Sequence, residues 1–322
     1  MKVIAGDIGG TNARLAIMQG DKILFEKHYP SRDFMNFADV FAIFVKDAPM
    51  PLPGCACLAV AGVVKGNRVE ATNIPWTING PDLKGQFGLE NVRLINDFEA
   101  AAWGITILNE NTLVQIGDGK PLSNRPKAIL GAGTGLGQAI LIPGSKGYNV
   151  LPTEGGHVDF APGNEQEIGL LRYLMKEFHH VSMERVLSGP GLINIYKFLL
   201  EGHDSEEVAF SMRAVREEHQ PVHITRHALQ GTDHLCQDAV SMFCSIYGAE
   251  AGNFALKCLA SGGIYIAGGI ARNILPILSR GGFRKAFEAK GRMEKVLKHI
   301  PTYVVTSPQL GLLGAALIAR RQ

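Results

Sequence analysis

Apolar and polar positions along the first thirty residues form three short apolar runs separated by turns. Residues 2–29 read as strand, glycine turn, strand, polar turn at 19–22 and strand, an antiparallel meander. Over 34–46 the spacing changes to that of a helix, with Phe34, Phe37, Ala38, Phe41, Phe44 and Val45 on one face, and the proline-rich 49–53 ends it. A buried strand is expected over 55–64. A shorter one at 92–95 runs into Asn96 and Asp97, with a helix over 99–108.

The second half echoes the first: strand 128–130, glycine turn 131–137 and returning strand 138–142, with Gly131 standing 125 positions after Gly6. Helices are expected at 165–178, where Asn164 can cap and Glu167 holds the capping-box position, and over much of 225–259. Then come strand 263–267, a Gly268-Gly269 turn, helix 270–278, strand 302–306 and helix 309–320. No long low-complexity linker interrupts the chain, so two domains would be joined by short hinges near residues 108 and 301.

Composition narrows this picture. At 322 residues the chain is long for one core and suits two domains with room for a ligand cleft. Hydrophobic residues make up 46% and charged residues 19%, a globular balance. A net charge of +2 gives no dense basic face of the kind that marks nucleic-acid binding. The five cysteines (Cys55, Cys57, Cys236, Cys244, Cys258) contain no C-x-x-C pair and read as reduced packing residues. Residues 1–8 are too short an apolar run for a signal peptide, and no stretch approaches a membrane span, so a cytoplasmic protein without membrane association is expected.

Candidate chemistry lies in the glycine turns. The first, Gly6-Asp7-Ile8-Gly9-Gly10-Thr11-Asn12, sits between two strands. Glycines let main-chain N–H groups approach phosphate oxygens, the Thr11 hydroxyl adds a donor, and Asp7 is placed to hold Mg²⁺ through water. A tight hairpin with a capping aspartate explains the same residues equally well. The second turn, Gly131-Ala132-Gly133-Thr134-Gly135-Leu136-Gly137, resembles a dinucleotide fingerprint, but a strand follows it and Leu136 holds the last glycine position. No G-x-x-x-x-G-K-[ST] occurs either. Two such hairpin turns from two related halves would clamp a triphosphate from both sides. Gly268-Gly269, at a strand-to-helix junction, can receive the adenosine end or simply make a sharp turn.

Asn96-Asp97 ends an apolar strand, where side chains of α/β proteins project into a cleft. Asp97 can accept the proton of an attacking hydroxyl or cap the helix that follows. Glu154-Gly155-Gly156-His157 offers an acceptor and an imidazole suited to vicinal hydroxyls, and the following residues add no zinc ligand at metal spacing. Glu184 is a further acceptor candidate or a surface residue, and Asn73 can cap a turn or reach a sugar.

Taken together and in this order, GDIGGTNARLA, AVAG, TNIPW, LINDFEA, GAGTGLG, EGGHVDFAP, ERVLSGPG, IAGGI and LGLLGAAL resemble the bacterial glucokinases of the proteobacterial and cyanobacterial type over nearly the whole chain. The resemblance implies an actin-like (ribonuclease H-like) α/β fold, two domains with mixed sheets closing on sugar and ATP. The C-terminal helix would return to the first domain, giving a small domain of 1–108 plus 302–322 and a large one of 109–301. It implies Asp97 as catalytic base, Asn96, Glu154, His157 and Glu184 as glucose-contacting positions, the glycine loops as nucleotide-binding segments, and a homodimer. The related ROK sugar kinases and repressors carry a cysteine-rich zinc motif after their E-x-G-H segment. This chain has no cysteine there, so no structural zinc is expected.

The leading expectation is phosphorylation of glucose at its 6-hydroxyl by ATP with Mg²⁺. The alternatives are a kinase for another hexose or amino sugar, a non-catalytic sugar sensor, and an actin-like ATPase that needs no sugar.

Overall fold

The computed structural model describes residues 1–71, 74–201 and 219–321. The chain forms two compact units, Met1–Glu110 with Gly144–Pro152 and Ser307–Gln322, and Asn111–Pro143 with Thr153–Thr306.

The first unit opens with the expected meander, β1 (Lys2–Ile8), β2 (Asn12–Gln19) and β3 (Lys22–Pro30). Helix α1 (Phe37–Asp47) follows, and it starts later than the apolar spacing suggests because the Asn36 side chain accepts the Asp39 N–H and caps it there. Strand β4 (Cys55–Val60) leads into a small sheet of β5 (Val64–Lys65), β6 (Arg68–Glu70) and β7 (Thr77–Asn79), then α2 (Gly80–Phe87), β8 (Asn91–Asn96) and α3 (Asp97–Ile105). The main sheet has the order β3-β2-β1-β4-β8, with β1, β4 and β8 parallel.

The second unit begins with β9 (Leu113–Ile116) and the hairpin β10 (Lys127–Ala132) and β11 (Leu136–Gly144); β12 (Gly147–Thr153) follows, and all of it but Thr153 falls in the segment grouped with the first unit. Next come α4 (Glu165–Leu174), α5 (Gly189–Glu201), α6 (Gln220–Gln230) and α7 (His234–Cys258). The helical stretch expected over much of 225–259 is formed by two helices, because Gly231 turns left-handed at φ 69° and Asp233 starts a new helix by accepting the Cys236 N–H. Strand β13 (Ile264–Ala267) is followed by α8 (Gly269–Asn273), α9 (Leu275–Leu278), α10 (Gly282–Glu288), α11 (Glu294–Lys298) and β14 (Thr302–Val305). The helix expected at 270–278 is split because Pro276 can occupy only a first turn. The sheet runs β12-β11-β10-β13-β14-β9. Its first five strands repeat the first sheet, a meander leading into parallel strands, which is the topological form of the sequence echo. The chain ends in α12 (Leu310–Ala319), which belongs to the first unit.

Each face of the first sheet has its own core. Ile4, Ile8 and Leu15 pack with the α1 phenylalanines and Trp76. On the other face Val3, Ala5, Cys57 and Ala59 meet Leu312, Ala315, Ala316 and Ala319 of α12, with Ala100 of α3. Small residues let the backbones of α12 and α3 approach closely; a side chain on Gly314 would run into the Ala100 carbonyl. All five cysteines are free, and burial pushes the Cys244 thiol up to about 12.

Candidate active site

In the first unit the parallel register sets the site. Ile8 pairs with Val60 and Val60 with Asn96, so the turn after β1 and the start of α3 lie along one edge, at the C-terminal ends of neighbouring strands. The turn closes with Gly9 N–H donating to the Asn12 carbonyl at 3.0 Å. Ser31 braces it from outside, its N–H on the Thr11 carbonyl (2.9 Å) and its hydroxyl on the Gly9 carbonyl (2.9 Å). Gly9 and Gly10 are half-buried, while Thr11 and Asn12 are exposed.

Asp7 projects toward the start of α12, where a Cβ on Gly311 would stand 2.9 Å from its Oδ2. Burial pushes its carboxyl up, and the charge of Arg14, its partner across β2, pulls it partly back. The Arg14 guanidinium is itself committed, donating to Glu26 Oε1 (3.1 and 2.6 Å) and to the Pro308 carbonyl (2.7 Å). Burial would raise the Glu26 carboxyl, but hydrogen bonds and charge from Arg14 and His28 hold it below the usual range. Neither Arg14 nor Gly311 was legible as a site residue. The signal available for Arg14 was its position one register step from the turn, opposite Asp7.

Asn96 is the cap of α3. Its Oδ1 accepts the N–H groups of Phe98 (2.8 Å) and Glu99 (3.1 Å), and its Nδ2 donates to the Gly62 carbonyl (3.2 Å). Asp97 is the first residue of the helix, half-buried, with Oδ1 accepting the Phe98 N–H at 2.9 Å. The capping alternative for Asp97 thus falls to its neighbour. Asn73 lies outside the described residues.

In the second unit, Gly131 pairs with Gly137 on one side and Ala267 on the other, so the Gly133-Thr134-Gly135 turn and Gly268-Gly269 share one edge. Gly268 has φ 94°, and a Cβ there would meet the Ala132 carbonyl at 2.5 Å, so glycine is required twice over. The Glu154–His157 turn packs on the same hairpin: a Cβ on Gly156 would run into the Leu136 carbonyl, and one on Gly155 into Gln138 Oε1. Gln138 is buried and donates to Glu250 Oε1 (2.9 Å), so a polar pair beneath the turn supports it. Glu154 and His157 stand exposed, with Nε2 and Oε2 3.8 Å apart.

Glu184 lies in a 3-10 turn (Met183–Arg185) and reaches the glycine turn, where its Oε2 accepts the Leu136 N–H at 2.8 Å. The candidate residues therefore form two groups. Gly6 to Asn12 gather with Asn96 and Asp97 in the first unit. In the second, Glu154, His157 and Glu184 gather with the turns at Gly131–Gly135 and Gly268-Gly269. Among the described residues no cluster of three or more His, Cys, Asp or Glu could hold a metal, and no helix is long and apolar enough to cross a membrane.

Comparison with known proteins places the chain. A family model described as Glucokinase matches residues 4–322. The glucokinase of Nostoc punctiforme is 41% identical, covering 99% of both chains, and that of Tolumonas auensis is 38% identical, covering 100% of this chain and 98% of its own. A glucokinase crystal structure from an Antarctic psychrotroph superposes with a TM-score of 0.84 at 32% identity, covering 100% of this chain and 99% of that one. A ROK-family glucokinase from Streptomyces griseus, solved with glucose and AMPPNP, shares the fold at a TM-score of 0.71 and 21% identity, each chain covered to 100%.

Proposed function

The chain belongs to the glucokinase family and catalyses ATP-dependent phosphorylation of glucose, and from that premise we propose that Asp97 is the general base that takes the proton of the glucose 6-hydroxyl as its oxygen attacks the γ-phosphorus. The observation that carries this is the division of labour at the start of α3. Asn96 supplies the cap, so the Asp97 carboxylate is not needed for it, and an amide of its own helix orients it at the C-terminal end of a parallel strand. The P–O bond to ADP breaks as the new one forms, and Asp97 holds the hydroxyl proton. Because the transition state is loose, positioning and charge neutralisation supply most of the acceleration and the base a smaller share.

Asn96, Glu154, His157 and Glu184 would hold the sugar, with Asn73 a further candidate. The turns of Gly6, Asp7, Ile8, Gly9, Gly10, Thr11 and Asn12, of Gly131, Gly133, Thr134 and Gly135, and of Gly268 and Gly269 would hold the nucleotide. Asp7 fits Mg²⁺: it is a hard oxygen donor whose charge burial penalises, beside an arginine already occupied by Glu26 and Pro308. When bound, Mg²⁺ would neutralise phosphate charge; Asp7 would orient it through water.

The same reading makes the protein a cytoplasmic homodimer without structural zinc, acting on glucose and ATP and not on nucleic acid or membrane. Phosphorus NMR of the product, with kcat/KM compared across glucose, mannose, fructose, glucosamine and N-acetylmannosamine, tests the substrate. Glucose 6-phosphate formed with at least tenfold preference is expected; preference for an amino sugar would overturn it. Light scattering tests the dimer, and elemental analysis tests the zinc.

A further inference from the structure

Glu184 touches more than a sugar ligand needs to. Its Oε2 accepts the Leu136 N–H, the first amide beyond the glycine turn, at 2.8 Å. A Cβ on Gly135 would clash with that same oxygen, so the carboxylate would have to move off the Leu136 N–H to admit it. A second rung lies beside the first, with the Gly189 N–H donating to the Gly133 carbonyl at 2.8 Å. The turn that carries Glu184 is closed on itself by the Ser188 hydroxyl, which donates to the Glu184 carbonyl (2.7 Å) and accepts the Gly191 N–H (3.0 Å). On its other side, Met183 N–H donates to the Val158 carbonyl at 2.8 Å, directly after the turn of Glu154 and His157. One strip of chain is thus stitched to the turn assigned to the sugar and to the turn assigned to the phosphates.

A carboxylate has two oxygens and about four acceptor sites. We propose that Glu184 couples the two substrates, with Oε2 ordering the Leu136 amide of the nucleotide turn and Oε1 receiving a glucose hydroxyl. This rests on the reading of Glu184 as a sugar ligand. A hydroxyl on Oε1 fixes the carboxylate plane, which fixes Oε2 under the Leu136 N–H, so the glycine turn is ordered before the nucleotide arrives. Linkage requires the reverse with the same factor: nucleotide on the turn tightens glucose. Glu184 is in this respect a positioning residue for the phosphates, acting through Leu136.

The test is the glucose dissociation constant of the full chain, measured by calorimetry with and without saturating AMPPNP and Mg²⁺. In the wild type the nucleotide should tighten glucose by about fivefold or more, within the usual range of such couplings. Gly135→Ala places a methyl group in clash with Oε2, displacing the carboxylate while leaving Glu184 itself unchanged. Glu184→Asp shortens the side chain by one methylene, so one carboxylate cannot reach both partners. In each variant the ratio should fall below about twofold; any loss common to both measurements cancels in it. Should Gly135→Ala fail to fold by circular dichroism, Glu184→Asp decides. A wild-type ratio retained in either folded variant overturns the proposal, as does a wild-type ratio near one. A Glu184→Asp variant whose glucose affinity without nucleotide equals the wild type's overturns the reading of Glu184 as a sugar ligand and this proposal with it, whereas weakened glucose binding with a wild-type ratio overturns the coupling alone.

Discussion

Replacing Asn96 by alanine should loosen the start of α3 by an amount that the hydrogen bonds set. The change removes the acceptor of the Phe98 and Glu99 N–H groups, an N-cap loss of about 1 kcal/mol within a usual spread of roughly 0.5–2. It also removes the donor to the Gly62 carbonyl, worth about 1 kcal/mol net. The sum of about 2 kcal/mol corresponds to roughly thirtyfold faster amide exchange if exchange follows local opening of the helix end. Hydrogen exchange by mass spectrometry on peptides covering 97–105 reads this directly and avoids treating a two-unit chain as a two-state unfolder. Asn96→Asp keeps the acceptor for both amides and loses only the donor to Gly62, so it should accelerate exchange by about fivefold. If alanine leaves exchange within about twofold of wild type, or aspartate accelerates it as much as alanine does, Asn96 is not the cap and the division of labour at the start of α3 collapses.

Gly268→Ala combines a φ of 94° with a 2.5 Å approach to the Ala132 carbonyl, so we expect a local loss of more than about 2 kcal/mol, read as at least roughly thirtyfold faster amide exchange in peptides over 264–273, and exchange within about twofold of wild type would refute the geometry. Asp7 has a raised carboxyl pKa, so the folded state binds more protons than the unfolded state between the usual aspartate range and the raised value, and stability falls as pH rises through that window. Asp7→Asn should therefore be at least as stable as wild type at pH 7 while turnover collapses; a lower urea midpoint would contradict this. Glu26 is shifted the other way, so its contribution is present above the usual glutamate range and lost as pH falls through its lowered pKa. The stability gap between wild type and Arg14→Met should narrow as pH falls from 7 through that lowered value, and a gap that stays constant would show that the charge of Arg14 stabilises neither Glu26 nor Asp7.

The main sheets were legible because their strands are apolar runs bounded by glycine, and the echo between the halves anticipated their matching topology. The small sheet β5–β7 was not, since strands of two or three residues carry no period; its link to β8 runs through Asn67, whose side chain bonds the Val92 carbonyl and the Leu94 N–H. Helix ends were misjudged where a polar residue decided them, as at Asn36 and Asn96. For the site, residue identity could be read from motifs, and contacts could not. Glu184 and Leu136 are 48 positions apart, and nothing local in ERVLSGPG says that its carboxylate lies on the GAGTGLG turn. Asp7 meets Gly311 only because α12 returns to the first sheet.

The central claim is that Asp97 serves the chemical step and not sugar binding or folding. Asp97→Ala, with Asn96 left to cap α3, should bind glucose within about tenfold of wild type by calorimetry while kcat falls by several orders of magnitude, the combined loss of base and hydroxyl positioning. Near-normal turnover, or a loss confined to glucose affinity, would contradict it.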